Sequence, residues 1–158
     1  MDGATAFERS SMLTDIFGYW PSFHDAEVHE LLLDRGNVDA GSSSYAFPVL
    51  TVKIHVFEMT DEVTSEGFFV LTKHTLVTLR FHDVEAGRFD GFNHQNAILG
   101  LTVTDAERGS RKAPLREVKM DAAYGLDASF RCSRCEVVAA LACDEKGRLR
   151  PDTSRSGR

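Results

Sequence analysis

Two periods of apolar residues divide the chain. Between residues 4 and 17, Phe7, Met12, Leu13, Ile16 and Phe17 recur near helical spacing, which gives one apolar face and predicts a short N-terminal helix. Gly18 supplies a stop and Pro21 blocks continuation. Beyond Pro21 the period falls to two. Residues 26–33 read as a first strand, and residues 35–44, with Gly36, Asn37, Gly41 and three serines, as a loop. The clearest strand follows, with Leu50, Val52, Ile54 and Val56 alternating with Thr51, Lys53, His55 and Phe57. Residues 60–67 read as a polar, acidic connection. Residues 68–83 form a long strand, with Val77, Leu79 and Phe81 on one face and Thr78, Arg80 and His82 on the other. After a turn-rich passage at 83–91, strands are expected at 98–103, 115–120 and 130–141.

Some six to seven short strands without long helices between them predict a mainly β fold. The expected form is an antiparallel sheet or β-sandwich with a short α-helix at about 4–17. The absence of βαβ alternation argues against a parallel nucleotide-binding sheet. One β-rich domain is expected over 1–143. Residues 144–158, with five bases, three acids and no aromatic residue, are expected to form a flexible charged tail.

Length agrees with one domain, since 158 residues lie within the usual size of about 100–200. Eleven Phe stand against three Tyr and one Trp. Phe has no polar tip to bring to water, so this usage points to strands facing a dry core. Asp2, Glu8, Arg9 and Asp15 interrupt the N-terminal apolar residues, so no signal peptide is expected. No window nears the roughly 20 apolar residues that span a bilayer. Three cysteines, an odd number, suit a reducing compartment. Cytoplasmic location without membrane attachment is the expectation.

Net charge is −6 and unevenly spread: residues 1–62 carry −8 and residues 63–158 carry +2. Nucleic-acid binding needs a concentrated basic footprint, so no nucleic-acid partner is expected. A basic protein partner would be steered by such a field, although an acidic surface also serves solubility alone.

The most distinctive stretch is Tyr19-Trp20-Pro21-Ser22-Phe23-His24-Asp25-Ala26-Glu27-Val28. His24 and Asp25 could act as an acid–base pair, because a carboxylate orients an imidazole and raises its basicity. Neighbours on an extended chain point to opposite faces, which favours a structural corner plugged by Trp20 and Phe23. A second cluster, Asn93-His94-Gln95-Asn96 after Phe92, could form a recognition loop or satisfy the backbone of a tight turn. Its His94 could approach His24. The six histidines His24, His29, His55, His74, His82 and His94 lack the short paired spacing of a zinc site, and no metal or other cofactor is expected. Cys132 and Cys135 have CxxC spacing, but only Cys143 remains for a second pair. On a strand, moreover, positions three apart face opposite sides. Ser42, Ser43 and Ser44 lack the glycines of a nucleophile elbow. No catalytic residue is assigned.

Four segments resemble the immunity protein 50 family of bacterial polymorphic-toxin systems: WPSFHDAEV (20–28), IHVFEMTDEV (54–63), FFVLTKHTLVTLRFHDVE (68–85) and GFNHQNAILGL (91–101). AYGLDASFRC (123–132) is a weaker echo. The resemblance implies a largely β fold and neutralisation of a cognate toxin, with no catalytic residues to carry over. The expected partner is a toxin with a basic surface, as a nuclease would have. Glu30, Glu58, Asp61 and Glu62 are candidate contacts, and Trp20, Ser22, His24, Asp25, Glu27, Asn93, His94, Gln95 and Asn96 form the motif site. Two alternatives are a small enzyme or metal-binding protein using His24, Asp25 and His94, and a self-associating module, for instance a homodimer that protects open sheet edges.

Overall fold

A computed structural model of the chain describes residues 2–37, 47–107, 109 and 112–149. The nine strands among these residues make two sheets. The first orders β1 (Phe7–Glu8), β9 (Arg134–Ala142), β4 (Phe69–His82), β3 (Val49–Val63) and β2 (Glu27–Asp34). The second orders β5 (Glu85–Asp90), β8 (Asp127–Cys132), β7 (Arg116–Ala122) and β6 (Ile98–Asp105). Every strand pairing is antiparallel except β1 with β9.

The alternation read from the sequence sets the layers. Val52 and Ile54 of β3, Leu79 and Phe81 of β4 and Val137 of β9 turn inward. They meet Val118, Met120, Ala128 and Phe130 of the second sheet in one hydrophobic cluster. Phe81 and Phe130 join the layers edge to face, with ring centroids 4.9 Å apart. A mainly β sandwich is therefore what the chain forms.

Three expectations change in detail. The single N-terminal helix is two, α1 (Gly3–Ala6) and α2 (Ser11–Phe17), separated by β1. Phe7 belongs to the sheet because it registers with Cys135 and enters the core, and Arg9, at φ 56°, turns the chain before α2 begins. The turn-rich passage holds β5, whose alternation is hidden by a bulge at Ala86 and Gly87. The predicted closing strand is divided at Ser133, where the backbone N–H donates to His82 O at 2.9 Å and the chain crosses between sheets.

That crossing also corrects the reading of the cysteines. Cys132 ends a strand of one sheet and Cys135 lies in the other, so both face the shared core and their Sγ atoms stand 3.6 Å apart. Both thiols are free. The contact with Cys135, together with burial, pushes the Cys132 thiol well above its ordinary range, the opposite of what a reactive thiolate needs.

At the far end, the stretch expected to begin the tail closes a turn. Cys143 bridges Leu149, and Asp144 Oδ1 accepts from the N–H groups of Lys146 and Arg148 at 2.9 Å each. Residues 150–158, and most of the predicted loop at 35–44, lie outside the described residues. No helix among the described residues is long and apolar enough to cross a membrane.

Candidate functional site

The two polar motifs meet at the seam between the sheets. Asn96 is 2% exposed. Its side-chain oxygen accepts from Asn93 N at 2.9 Å and Leu126 N at 3.2 Å. Its amide donates to Asn93 O at 2.7 Å and Val28 O at 3.2 Å. Its backbone N–H donates to Glu27 Oε1 at 2.8 Å. Gln95 N donates to Asn93 Oδ1 at 2.9 Å, so Glu27, Asn93, Gln95 and Asn96 belong to one knot. Two glycines with left-handed φ close it. A Cβ on Gly125 would stand 2.2 Å from Gln95 O, and one on Gly91 would stand 2.5 Å from Gly125 O. The knot is polar because it satisfies buried backbone where one sheet hands over to the other.

The preceding corner is built on aromatics. Trp20 stacks on Phe7 with centroids 4.9 Å apart and lies beside buried Phe23 at 5.7 Å. Phe23 and Asp25 take left-handed φ of 59° and 64°. The chain is therefore not extended there, and His24 Nε2 comes within 3.5 Å of Asp25 Oδ2, contrary to the expectation of opposite faces. Both side chains are exposed, so the pair is weakly coupled. His24 donates Nδ1–H to Leu99 O at 3.0 Å, and Ser22 Oγ accepts from His24 N at 3.2 Å. Among the described residues, no hydrogen bond or ion pair joins His24 to exposed His94.

Other histidines cluster elsewhere. His29, His55 and His74 come from the adjacent strands β2, β3 and β4, beneath the turn at 144–148. His55 Nε2 and His74 Nδ1 share a hydrogen bond of 2.9 Å. Burial, reinforced by the neighbouring imidazoles and opposed by Asp144, lowers the His55 pKa to about 4. No group of three or more His, Cys, Asp or Glu among the described residues is arranged to hold a metal ion. His82 instead donates to Glu136 at 2.8 Å, and Arg9 reaches the same carboxylate at 3.2 Å. Burial alone would raise the Glu136 pKa, but the interactions with His82 and Arg9 outweigh it and hold the carboxyl below its usual range.

The acidic first half of the sequence is dispersed in space. Glu8 pairs with Arg134 at 3.0 Å, Glu30 with Lys53 at 3.5 Å and Glu58 with Lys73 at 2.7 Å. Asp61 and Glu62 are different, because they lie where β3 and β4 outrun the sheet. β2 pairs with β3 only as far as His55, and β9 pairs with β4 only from Thr75. Beyond those points the two long strands continue as a two-stranded ribbon, closed by a turn in which Thr64 N donates to Phe68 O at 2.7 Å. The polar connection expected at 60–67 is thus partly strand.

Cross-strand partners share a face. Met59 opposite Leu71 and Val63 opposite Phe69 therefore form one apolar stripe, and all four are exposed. Phe68, at the tip, is 68% exposed. Where the ribbon leaves the sandwich, Tyr19, Trp20, Pro21, Ser22, His24 and Met59 help line an open groove of about 320 Å³. Thus Trp20, Ser22 and His24 border the ribbon, whereas Glu27, Asn93 and Asn96 serve the seam. Sequence reasoning missed Phe68, Phe69, Met59, Val63 and Leu71. The available signal was a β3–β4 alternation longer than its neighbours could cover.

Fold and surface together define a mainly β sandwich in which Asn96 is buried at the seam, most other polar motif residues stay exposed, and the ribbon is left open. The chain belongs to the immunity protein 50 family, whose model matches residues 9–141. Membership implies an immunity protein against a polymorphic toxin. No curated protein and no solved structure matches the chain.

Proposed function

We propose that this protein neutralises a cognate toxin by direct protein–protein contact within the cytoplasm. The observation that carries the reading is the family match over residues 9–141. Supporting it, Asn93 and Asn96 of the second motif spend their hydrogen bonds on backbone, and among the described residues no hydrogen bond joins His24 to His94, the pair on which, with Asp25, an enzyme reading would rest. A stoichiometric inhibitor of an enzyme must associate quickly, before much substrate is turned over. A net charge of −6 suits fast capture of a basic toxin, such as a nuclease, because opposite fields raise the encounter rate.

The test is co-expression with the protein encoded beside this chain in its genome, followed by size-exclusion chromatography of the purified pair. The expected result is restored growth and a stoichiometric complex that weakens as salt is raised. Growth arrest despite abundant folded protein, with the two proteins eluting separately, would overturn the reading.

A further inference from the structure

We infer that the β3–β4 ribbon is the toxin-binding element, and that its partner surface is an apolar cleft rimmed by Lys and Arg. The inference rests on the proposed toxin-neutralising function and adds where contact is made and with what chemistry.

Three observations support it. First, the ribbon is longer than the fold requires: strands β2 and β9 stop near His55 and Thr75, while the hairpin runs on to its turn at 64–68. An isolated two-stranded hairpin is marginal in water, so such an extension gains most from being covered. Second, Met59, Val63, Phe69 and Leu71 put apolar side chains on one face, with Phe68 at the tip, and each is exposed. Clustered exposed apolar groups mark interaction sites more often than scattered ones do, and aromatic anchors carry much of the energy of interfaces. Third, the acids beside the stripe keep their charge for a partner. Among the described residues, no ion pair or side-chain hydrogen bond engages the carboxylates of Asp61, Glu62 or Glu66, whereas Glu58 at the ribbon base is held by Lys73.

Charge selects the occupant. A second copy docked by the same ribbon would bring like-charged carboxylates together across a two-fold axis, which costs affinity. A toxin surface with basic groups around an apolar cleft gains from both features, the acids guiding encounter and the aromatics retaining the complex.

The experiment measures binding kinetics with the purified, catalytically silenced product of the adjacent gene, using the full-length chain. Phe68→Ser with Phe69→Ser should weaken binding by about 100-fold or more, through faster dissociation, and abolish protection. Asp61→Lys, Glu62→Lys and Glu66→Lys together should slow association by about tenfold or more and flatten its salt dependence. Leu32→Ser is the control, since Leu32 is similarly apolar and exposed on β2, and it should change affinity less than about threefold. Melting temperatures within about 3 °C of wild type would show that the ribbon variants remain folded.

If wild type binds and protects but the ribbon variants do so equally well, the ribbon assignment fails and the toxin-neutralising function stands. If wild type neither binds nor protects, the function fails and this inference fails with it. If light scattering shows a wild-type dimer that Phe68→Ser with Phe69→Ser converts to monomer, the occupant is a second copy and the toxin assignment is overturned.

Discussion

At the seam, the polar side chain of Asn96 has left water and found backbone partners; along the ribbon beyond Met59, apolar side chains have remained in it. The knot holds the residues that look chemical in the sequence, Glu27, Asn93 and Asn96, and uses them to terminate backbone at a seam. The ribbon holds residues that look like ordinary strand, Val63, Phe69 and Leu71, and presents them to solvent. The contrast teaches that residue type alone does not locate a working surface. Whether neighbouring strands cover the position decides it, and strand coverage depends on pairing distant in sequence.

The strongest way to break this comparison is to attack the knot. Gly125→Ala would place a Cβ 2.2 Å from the backbone oxygen of Gln95 at a φ of +73°. Left-handed backbone and overpacking each cost about 1–3 kcal/mol, so a loss of about 4 kcal/mol is expected. Asn96→Ala should cost about 3 kcal/mol, because it leaves the buried Leu126 N–H and Val28 carbonyl without their side-chain partners. Thermal melts should fall by roughly 6–16 °C for the two variants. Changes under about 3 °C would mean that the knot does not hold the seam, and its polar residues would again be candidates for chemistry.

Acid sharpens the contrast by a smaller amount. Folding lowers the His55 pKa from 6.5 to about 4, so between these values the unfolded chain binds the proton and the folded chain does not. Stability is therefore greatest above about pH 6.5 and declines as pH falls through this window. At pH 5 the loss should be about 2 kcal/mol relative to pH 7.5. Glu136 acts lower down: its folded pKa is depressed, so its contribution is present above its ordinary value and lost as pH falls below it. Denaturant melts across pH 4.5–7.5 should show the decline, and His55→Phe should remove most of it. A flat profile in wild type would show that His55 is not held neutral.

The repeated alternations from Leu50 to Val56 and from Val77 to Phe81 made the sandwich core legible, because sheet faces impose a period of two over several turns of sequence. Strands that carry no period were not legible. Phe7 and Glu8 are too few to show one, and Ala86 with Gly87 interrupts another at a bulge. The Cys132–Cys135 contact was not legible, because one continuous strand would place the two thiols on opposite faces, whereas Ser133 turns the chain between sheets. The candidate site was legible only at its margins: Trp20, Ser22 and His24 border the groove, and Asp61 and Glu62 lie on the ribbon. Its apolar stripe was hidden, since exposure of Phe69 depends on where β2 and β9 stop pairing.

The smallest predicted effect is the one that bears most directly on the ribbon. Phe68→Ser with Phe69→Ser should change the melting temperature by no more than about 3 °C, although it removes two phenyl rings. Burial stabilises only in proportion to the apolar surface taken from water, and these rings keep 68% and 55% of their surface exposed in the folded chain. What remains is strand preference, worth up to about 1 kcal/mol at an exposed site. Native-state amide exchange should agree, with residues 60–71 exchanging well before residues 50–56, because the ribbon can open without opening the sandwich. A loss of 10 °C or more, or equal protection along both lengths of β3, would mean that the ribbon folds as part of the core. Its exposed face would then be a cost of the architecture instead of a surface kept for a partner.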